Sequence, residues 1–341
     1  MTNESYENHI YYSRYGGLWV DRHDAHDVLA RKKAEGEIDE EMARHFEHFI
    51  NEGYVIFPRA VSNELIDEYL SMFEQAWQSP PPGIYAHCER KVLPLSKDMY
   101  DKVAKVSDLH YYFPRAHEII FPEPVRRFLT LVYDRPPVVF QTMSMRKGTE
   151  EQLHTDTGPL TLTEPVALTA SWLALEDVDL RAGALEYIPG SHHIEVLVNG
   201  VSKAHQGDYV AYGKALAEIR QRCAENGLQT VQFTAQKGDV LIWAADLMHG
   251  GAVIEDSTLT RKSLVCHFMP LGAMPTFYDF SKVNYVPYPN GTYSLDRITP
   301  RSEEISDTQP AIANSTASDI ATDDKRMLPL VWRRVRRWIG L

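Results

Sequence analysis

Cysteine is nearly absent: Cys88, Cys223 and Cys266 are the three in 341 residues. They are few, odd in number and far apart, which argues against a disulfide framework and for a reducing compartment. Positive charge is also short, with 35 Lys and Arg against 47 Asp and Glu and a net charge of −12. A nucleic-acid groove needs a basic face, so that partner is excluded. No apolar run reaches the roughly 18 residues of a membrane span. The stretch Met1 to Asn8 carries neither the cationic nor the apolar region of a secretory signal. A cytoplasmic protein is expected. No internal repeat is present.

What the chain does have is enough apolar residue, 44%, to bury a sizeable core. Residues 1–38 are polar and read as an irregular arm. Helical spacing runs from Ile38 to Ile50, and Gly53 to Phe57 reads as a strand. Ser62 is placed to cap a helix whose apolar face holds Leu65, Ile66, Tyr69, Leu70 and Phe73. Glu123 to Tyr133 is a further helix. Residues 84–120 are rich in Tyr and His, suiting either a pocket rim or ordinary half-buried boundary positions.

From Pro137 the period shortens. Strands are expected over 138–145, 166–175, 183–188, 240–243 and 263–269, interrupted by a helical insert at about 205–227. Short strands bounded by Gly, Pro and Asp predict a mainly β fold with flanking helices, an antiparallel barrel or jelly roll. Residues 300–325 look like a loose tail. Leu328 to Leu341 reads as a basic amphipathic helix, able to lie on a membrane surface or dock on the body or a second subunit.

The chemistry centres on Gln152-Leu-His-Thr-Asp156. In an extended strand, residues two apart share a face, so His154 and Asp156 aim an imidazole and a carboxylate together. His249, in Leu-Met-His-Gly-Gly, offers a second imidazole. Two His and one carboxylate on one side of a metal form the facial triad of non-haem Fe(II) oxygenases. With fourteen histidines in the chain, a surface turn carrying a polar triplet is the competing reading. Arg261 follows His249 by twelve residues, and Ser263 shares its strand face. A guanidinium and a hydroxyl together receive a carboxylate well. A dicarboxylic 2-oxo acid would chelate the metal at one end and meet Arg261 at the other. An outward-facing Arg paired to a protein carboxylate is the alternative.

From Gln141 to Pro270 the sequence resembles the phytanoyl-CoA dioxygenase family of Fe(II)/2-oxoglutarate oxygenases. The matching elements are Gln-Leu-His-Thr-Asp, Trp-Leu-Ala-Leu-Glu-Asp-Val-Asp, Gly-Ala-Leu-Glu-Tyr-Ile-Pro-Gly-Ser-His, Gly-Asp-Val-Leu-Ile-Trp, Leu-Met-His-Gly-Gly and Thr-Arg-Lys-Ser-Leu-Val-Cys-His-Phe. With Asn51 to Phe57 the likeness spans residues 40–275. It implies a double-stranded β-helix (a jelly-roll, cupin-like core) within a domain of about 39–299. It implies Fe(II), 2-oxoglutarate and O2 as cofactor and co-substrates, with iron ligands at His154, Asp156 and His249. Arg261 would then take the distal carboxylate. The resemblance also places Trp172, Met143 and Lys105 at the co-substrate, with Gln141 alongside; Trp172 read alone is equally a core aromatic. The expected reaction hydroxylates a C–H bond of a small, natural-product or sugar-like substrate, releasing succinate and CO2. Two other classes stay open on the residues: a metal-dependent hydrolase at the same three ligands, and a non-catalytic barrel that binds a partner.

Overall fold

The computed structural model describes residues 10–295, apart from 14–15, 90, 158–159, 161, 165, 195–196, 199–200, 203–208 and 277–282. The tail at 300–325 and the basic stretch at 328–341 lie outside the described residues.

The amino-terminal stretch expected to be irregular holds a helix, α1 (Ala25–Ala34), which buries Val28 and Leu29. Helix α2 (Glu40–Glu52) starts later than its apolar spacing suggests, because Asp39 caps it: the Met42 N–H donates to Asp39 Oδ1 at 2.9 Å. Gly53 ends α2 with φ 80°, a left-handed turn that glycine enters without strain. The chain then passes into β1 (Tyr54–Phe57) and α3 (Asn63–Gln78), capped by Ser62 as its sequence implied.

The ambiguous region resolves into β2 (Tyr85–Cys88), β3 (Lys91–Pro94), β4 (Ala104–Ser107) and α4 (Ala116–Ile120). Next come α5 (Glu123–Tyr133), β5 (Pro137–Met145), β6 (Thr169–Ala174), β7 (Leu185–Tyr187), β8 (Leu197–Val198) and β9 (Val201–Ser202). The insert is α6 (Tyr209–Glu225). The chain continues through β10 (Val231–Gln232), β11 (Val240–Ala244), β12 (His249–Gly251), β13 (Ser263–Pro270), β14 (Tyr285–Pro287) and β15 (Tyr293–Leu295).

The major sheet runs β3-β2-β4-β5-β13-β6-β11-β1, antiparallel throughout, with β15 parallel on β5 and β14 on β15. A minor sheet, β10-β7-β12, faces it. This is the mainly antiparallel β fold with flanking helices expected from the residues, a jelly roll of cupin type.

Two apolar layers hold it. Helices α1, α2, α3 and α5 pack on the outer face of the major sheet, joining Phe46, Phe49, Ile66 and Phe128 to Leu173, Ile242, Leu264 and Phe268. The inner face and the minor sheet enclose Trp172, Trp243, Val265, Leu185 and Tyr187. Phe128 is fully buried, with its ring 4.6 Å from Phe46, 5.2 Å from Phe49 and 5.8 Å from Phe57. Phe128→Ala is therefore expected to cost about 3–5 kcal/mol, read as a lower denaturation midpoint; a loss under about 1 kcal/mol would show that this layer collapses around the gap.

His110 is buried beneath the same sheet, with Nδ1 2.8 Å from Thr142 Oγ1. Burial pushes it from its usual 6.5 down to about 3. Below pH 6.5 the unfolded chain takes up a proton that the folded chain refuses, so stability falls as pH drops from 6.5 towards 3. The urea midpoint of the metal-free protein should decline across that window, and His110→Asn should flatten the decline. A wild-type midpoint level from pH 7 to pH 5 would contradict this.

Candidate active site

Strand parity sorts the inner face into rows. Lys105, Met145, Ser263 and Ala174 stand opposite one another across β4, β5, β13 and β6. Ser107, Met143, Val265, Trp172 and Leu241 form the next row, and Gln141, His267, Ala170 and Trp243 the third. So Gln141, Met143, Trp172, Ser263 and Lys105, all expected near a co-substrate, do share one face. The Tyr- and His-rich segment divides: Tyr85 and His87 lie on this face through β2, paired to β4. Others serve structure: Tyr100 donates to Glu74, Tyr111 to the Leu295 carbonyl and Tyr112 to the Pro82 carbonyl.

The triplet does not form a long strand. A two-residue bridge clips it to β12: His154 N–H donates to the His249 carbonyl and His249 N–H to the His154 carbonyl, both at 2.9 Å. Gly250 makes that approach possible, since a Cβ there would lie 2.5 Å from the Glu151 carbonyl oxygen. Upstream, Ser191 Oγ accepts from the Met248 N–H at 2.9 Å and fixes the turn into β12. As a result, one ligand atom each of His154, Asp156 and His249 lies within 4.8 Å of the others.

The imidazoles are oriented for coordination. His154 Nδ1 is 2.8 Å from the Gln152 carbonyl oxygen, and His249 Nδ1 is 3.0 Å from that of Leu247. A carbonyl only accepts, so Nδ1 carries the proton in each ring and Nε2 keeps its lone pair. Burial pushes His249 down to about 4, so it is neutral at pH 7 and free to ligate. Burial works against ionising Asp156, but the His249, His267 and His154 imidazoles outweigh it and hold the carboxyl well below its usual range. Two imidazoles that each present Nε2, with one carboxylate, are a donor set suited to a divalent first-row metal.

Arg261 is 2% exposed. Its Nη1 donates to the Gly183 carbonyl at 2.9 Å, its Nη2 faces Met145 Sδ at 3.9 Å, and its guanidinium lies 5.6 Å from the Trp172 ring centroid. No carboxylate among the described residues forms an ion pair with it. Its Nε and the neighbouring Ser263 Oγ are buried without a hydrogen-bond partner among the described residues. Burial lowers its pKa only to about 10, so it stays cationic at pH 7. A buried cation with an unused donor beside an unused hydroxyl fits an incoming carboxylate. Lys105 differs: its Nζ is 2.5 Å from Glu151 Oε2.

Three site residues were not singled out from the sequence. Trp243 Nε1 donates to Asp156 Oδ2 at 2.9 Å. His267 Nε2 lies 3.7 Å from Asp156 Oδ1. Glu151 pairs with Lys105, and that contact with the nearby His154 and His249 holds its carboxyl down at about 2. Parity could have found Trp243 and His267, because both alternate with assigned inner-face positions.

The fold and donor set together define a jelly-roll oxygenase scaffold. Residues 49–255 match the phytanoyl-CoA dioxygenase (PhyH) family. The chain belongs to this family and is a non-haem iron, 2-oxoglutarate-dependent oxygenase. A hydrolase or a non-catalytic barrel is thereby set aside. Comparison with curated protein sequences gave no match. Among solved structures, the chain is similar to the non-haem α-ketoglutarate-dependent carbocyclase SnoK of nogalamycin biosynthesis (TM-score 0.53, 20% identity, 70% of this chain and 87% of that one). It is similar to the epimerase SnoN, solved with Fe3+, α-ketoglutarate and nogalamycin RO (TM-score 0.54, 15% identity, 75% and 99%). It also resembles EctD from S. alaskensis in its apoform (TM-score 0.50, 17% identity, 68% and 77%). At these identities the likeness speaks for the fold.

Proposed function

We propose that this enzyme hydroxylates a C–H bond of a small-molecule substrate of natural-product or sugar-like type, converting 2-oxoglutarate and O2 to succinate and CO2. In this reading His154, Asp156 and His249 hold the iron, and Arg261 with Ser263 holds the far carboxylate of the keto diacid. The observation that carries it is Arg261, a buried cation with no ionic partner among the described residues, two residues before β13 of the sheet that walls the triad. A dianionic co-substrate supplies the missing charge.

Bound iron supplies the oxygen chemistry. The chain's own groups do the rest. Nδ1–H bonds to the Gln152 and Leu247 carbonyls keep both Nε2 lone pairs facing the centre. Trp172 and Met145 wall the co-substrate slot and exclude water around the Arg261 guanidinium, which strengthens its grip on a carboxylate. Gln141 and Met143, half-buried on the same face, complete the lining. Lys105 reaches the co-substrate only by sharing its proton donors with Glu151.

A cytoplasmic setting is part of the proposal, and the three buried free thiols support it. Separately, no helix among the described residues is long and apolar enough to cross a membrane. The test is oxygen uptake by purified protein with iron(II), 2-oxoglutarate and a panel of small hydroxylatable compounds. Succinate should form in a 2-oxoglutarate-dependent manner and rise with the true substrate; no succinate under any condition would refute the proposal.

A further inference from the structure

The two oxygens of Asp156 face different neighbours. Oδ2 accepts from the indole Nε1 of Trp243 at 2.9 Å. Oδ1 lies between two imidazoles, 3.8 Å from His249 Nε2 and 3.7 Å from His267 Nε2. Both Asp156 and Trp243 are almost wholly buried. Trp243 also touches a second member of the triad: its ring centroid is 4.6 Å from that of His249, at an interplanar angle of 45°. The turn that follows the same strand holds Asp156 by its backbone, through the Asp156 N–H to the Ala245 carbonyl at 3.0 Å.

We propose that Trp243 is a positioning residue for the metal centre: its N–H reserves Asp156 Oδ2, so that the carboxylate offers the metal Oδ1 alone. The inference rests on the triad being the iron site. Its chemical point is economy of coordination positions. A facial triad is useful because the opposite face stays open for the keto acid and oxygen. A carboxylate free to swing can chelate through both oxygens and occupy part of that face. An indole is suited to prevent this, because it has one donor and no acceptor and its rigid ring is locked in the core. Its ring, tilted against that of His249, limits rotation of that imidazole as well. Phenylalanine in the same place would keep the ring contact and lose the N–H.

Trp243→Phe isolates the hydrogen bond. Metal-free full-length protein would be titrated with Mn(II), and the unfolding midpoint of the same metal-free samples measured in parallel. The same N–H fixes the carboxylate's orientation before the metal arrives, and loss of such an outer partner to a metal ligand weakens metal affinity about 10–100-fold. That weakening is the expected result, with the metal-free midpoint little changed, which a purely structural tryptophan would not give. Mn(II) affinity within about twofold of wild type would overturn the inference. His249→Ala is the control for the underlying reading: if wild type and His249→Ala bind Mn(II) alike, the triad assignment itself fails, whereas loss in His249→Ala with no change in Trp243→Phe sinks only the role of Trp243. A variant-free check is the crystal structure of the wild-type protein with Mn(II). One-oxygen ligation with Oδ2 still on Trp243 is expected; ligation through both oxygens would overturn the proposal even if the phenylalanine variant does not fold.

Discussion

Asp156→Ala is expected to abolish 2-oxoglutarate-dependent succinate formation while leaving the fold intact. The expected loss is large because Asp156 is the single anion of the triad. Breaking a buried charge pair by deleting one partner costs about 3–5 kcal/mol, and a divalent ion at this site would lose affinity on the order of 10²–10⁴-fold. The remaining His154 and His249 stay clipped by their reciprocal backbone bonds, so circular dichroism should be unchanged. Asp156→Asn is informative beside it, since the amide oxygen can still accept from Trp243 but carries no charge. Metal affinity measured by titration and succinate measured directly should fall together. Full turnover in either variant would remove Asp156 from the metal centre.

The second large effect is expected at Arg261. Removing one partner of a buried, hydrogen-bonded charge pair costs roughly 2–5 kcal/mol, so Arg261→Ala should raise the 2-oxoglutarate requirement on the order of 10²–10³-fold. Iron or Mn(II) affinity in the absence of 2-oxoglutarate should stay near wild type, which separates co-substrate binding from the metal site. Part of any stability loss will come from packing, because the side chain lies on Trp172 and Met145. Arg261→Met keeps most of that volume and should recover stability without recovering 2-oxoglutarate affinity. Arg261→Lys should fall between, since an ammonium lacks the planar fork. An unchanged KM for 2-oxoglutarate in the alanine variant would contradict the role.

Much of this was legible in the residues, and the gaps have physical causes. Period-2 parity put Ser263 on the face of Arg261, and the structure has both buried with unused polar atoms. Spacing also found α2, α3 and α5, whose apolar faces are continuous. Parity within the triplet was less telling, because His154 and Asp156 are brought to His249 by an isolated bridge and a close glycine crossing rather than by a long strand. The amino-terminal helix was missed because it is mostly polar, with only a narrow strip of Ala25, Val28 and Leu29 buried. Residues 84–120 stayed ambiguous because strands of four residues carry too little periodicity to read. The strand expected at 166–175 is shorter, from Thr169, since Val166 takes a positive φ of 64° and breaks the extended run. Trp243 was visible as part of a strand, but nothing in the sequence says that its N–H meets Asp156; that contact joins residues 87 apart.

The most direct test of the central claim is a crystal structure of the full chain prepared without oxygen in the presence of iron(II) and 2-oxoglutarate. The account predicts one iron bonded to His154 Nε2, Asp156 Oδ1 and His249 Nε2, with the distal carboxylate of 2-oxoglutarate on Arg261 and Ser263. Iron held elsewhere, or a keto diacid that leaves Arg261 without a partner, would contradict it.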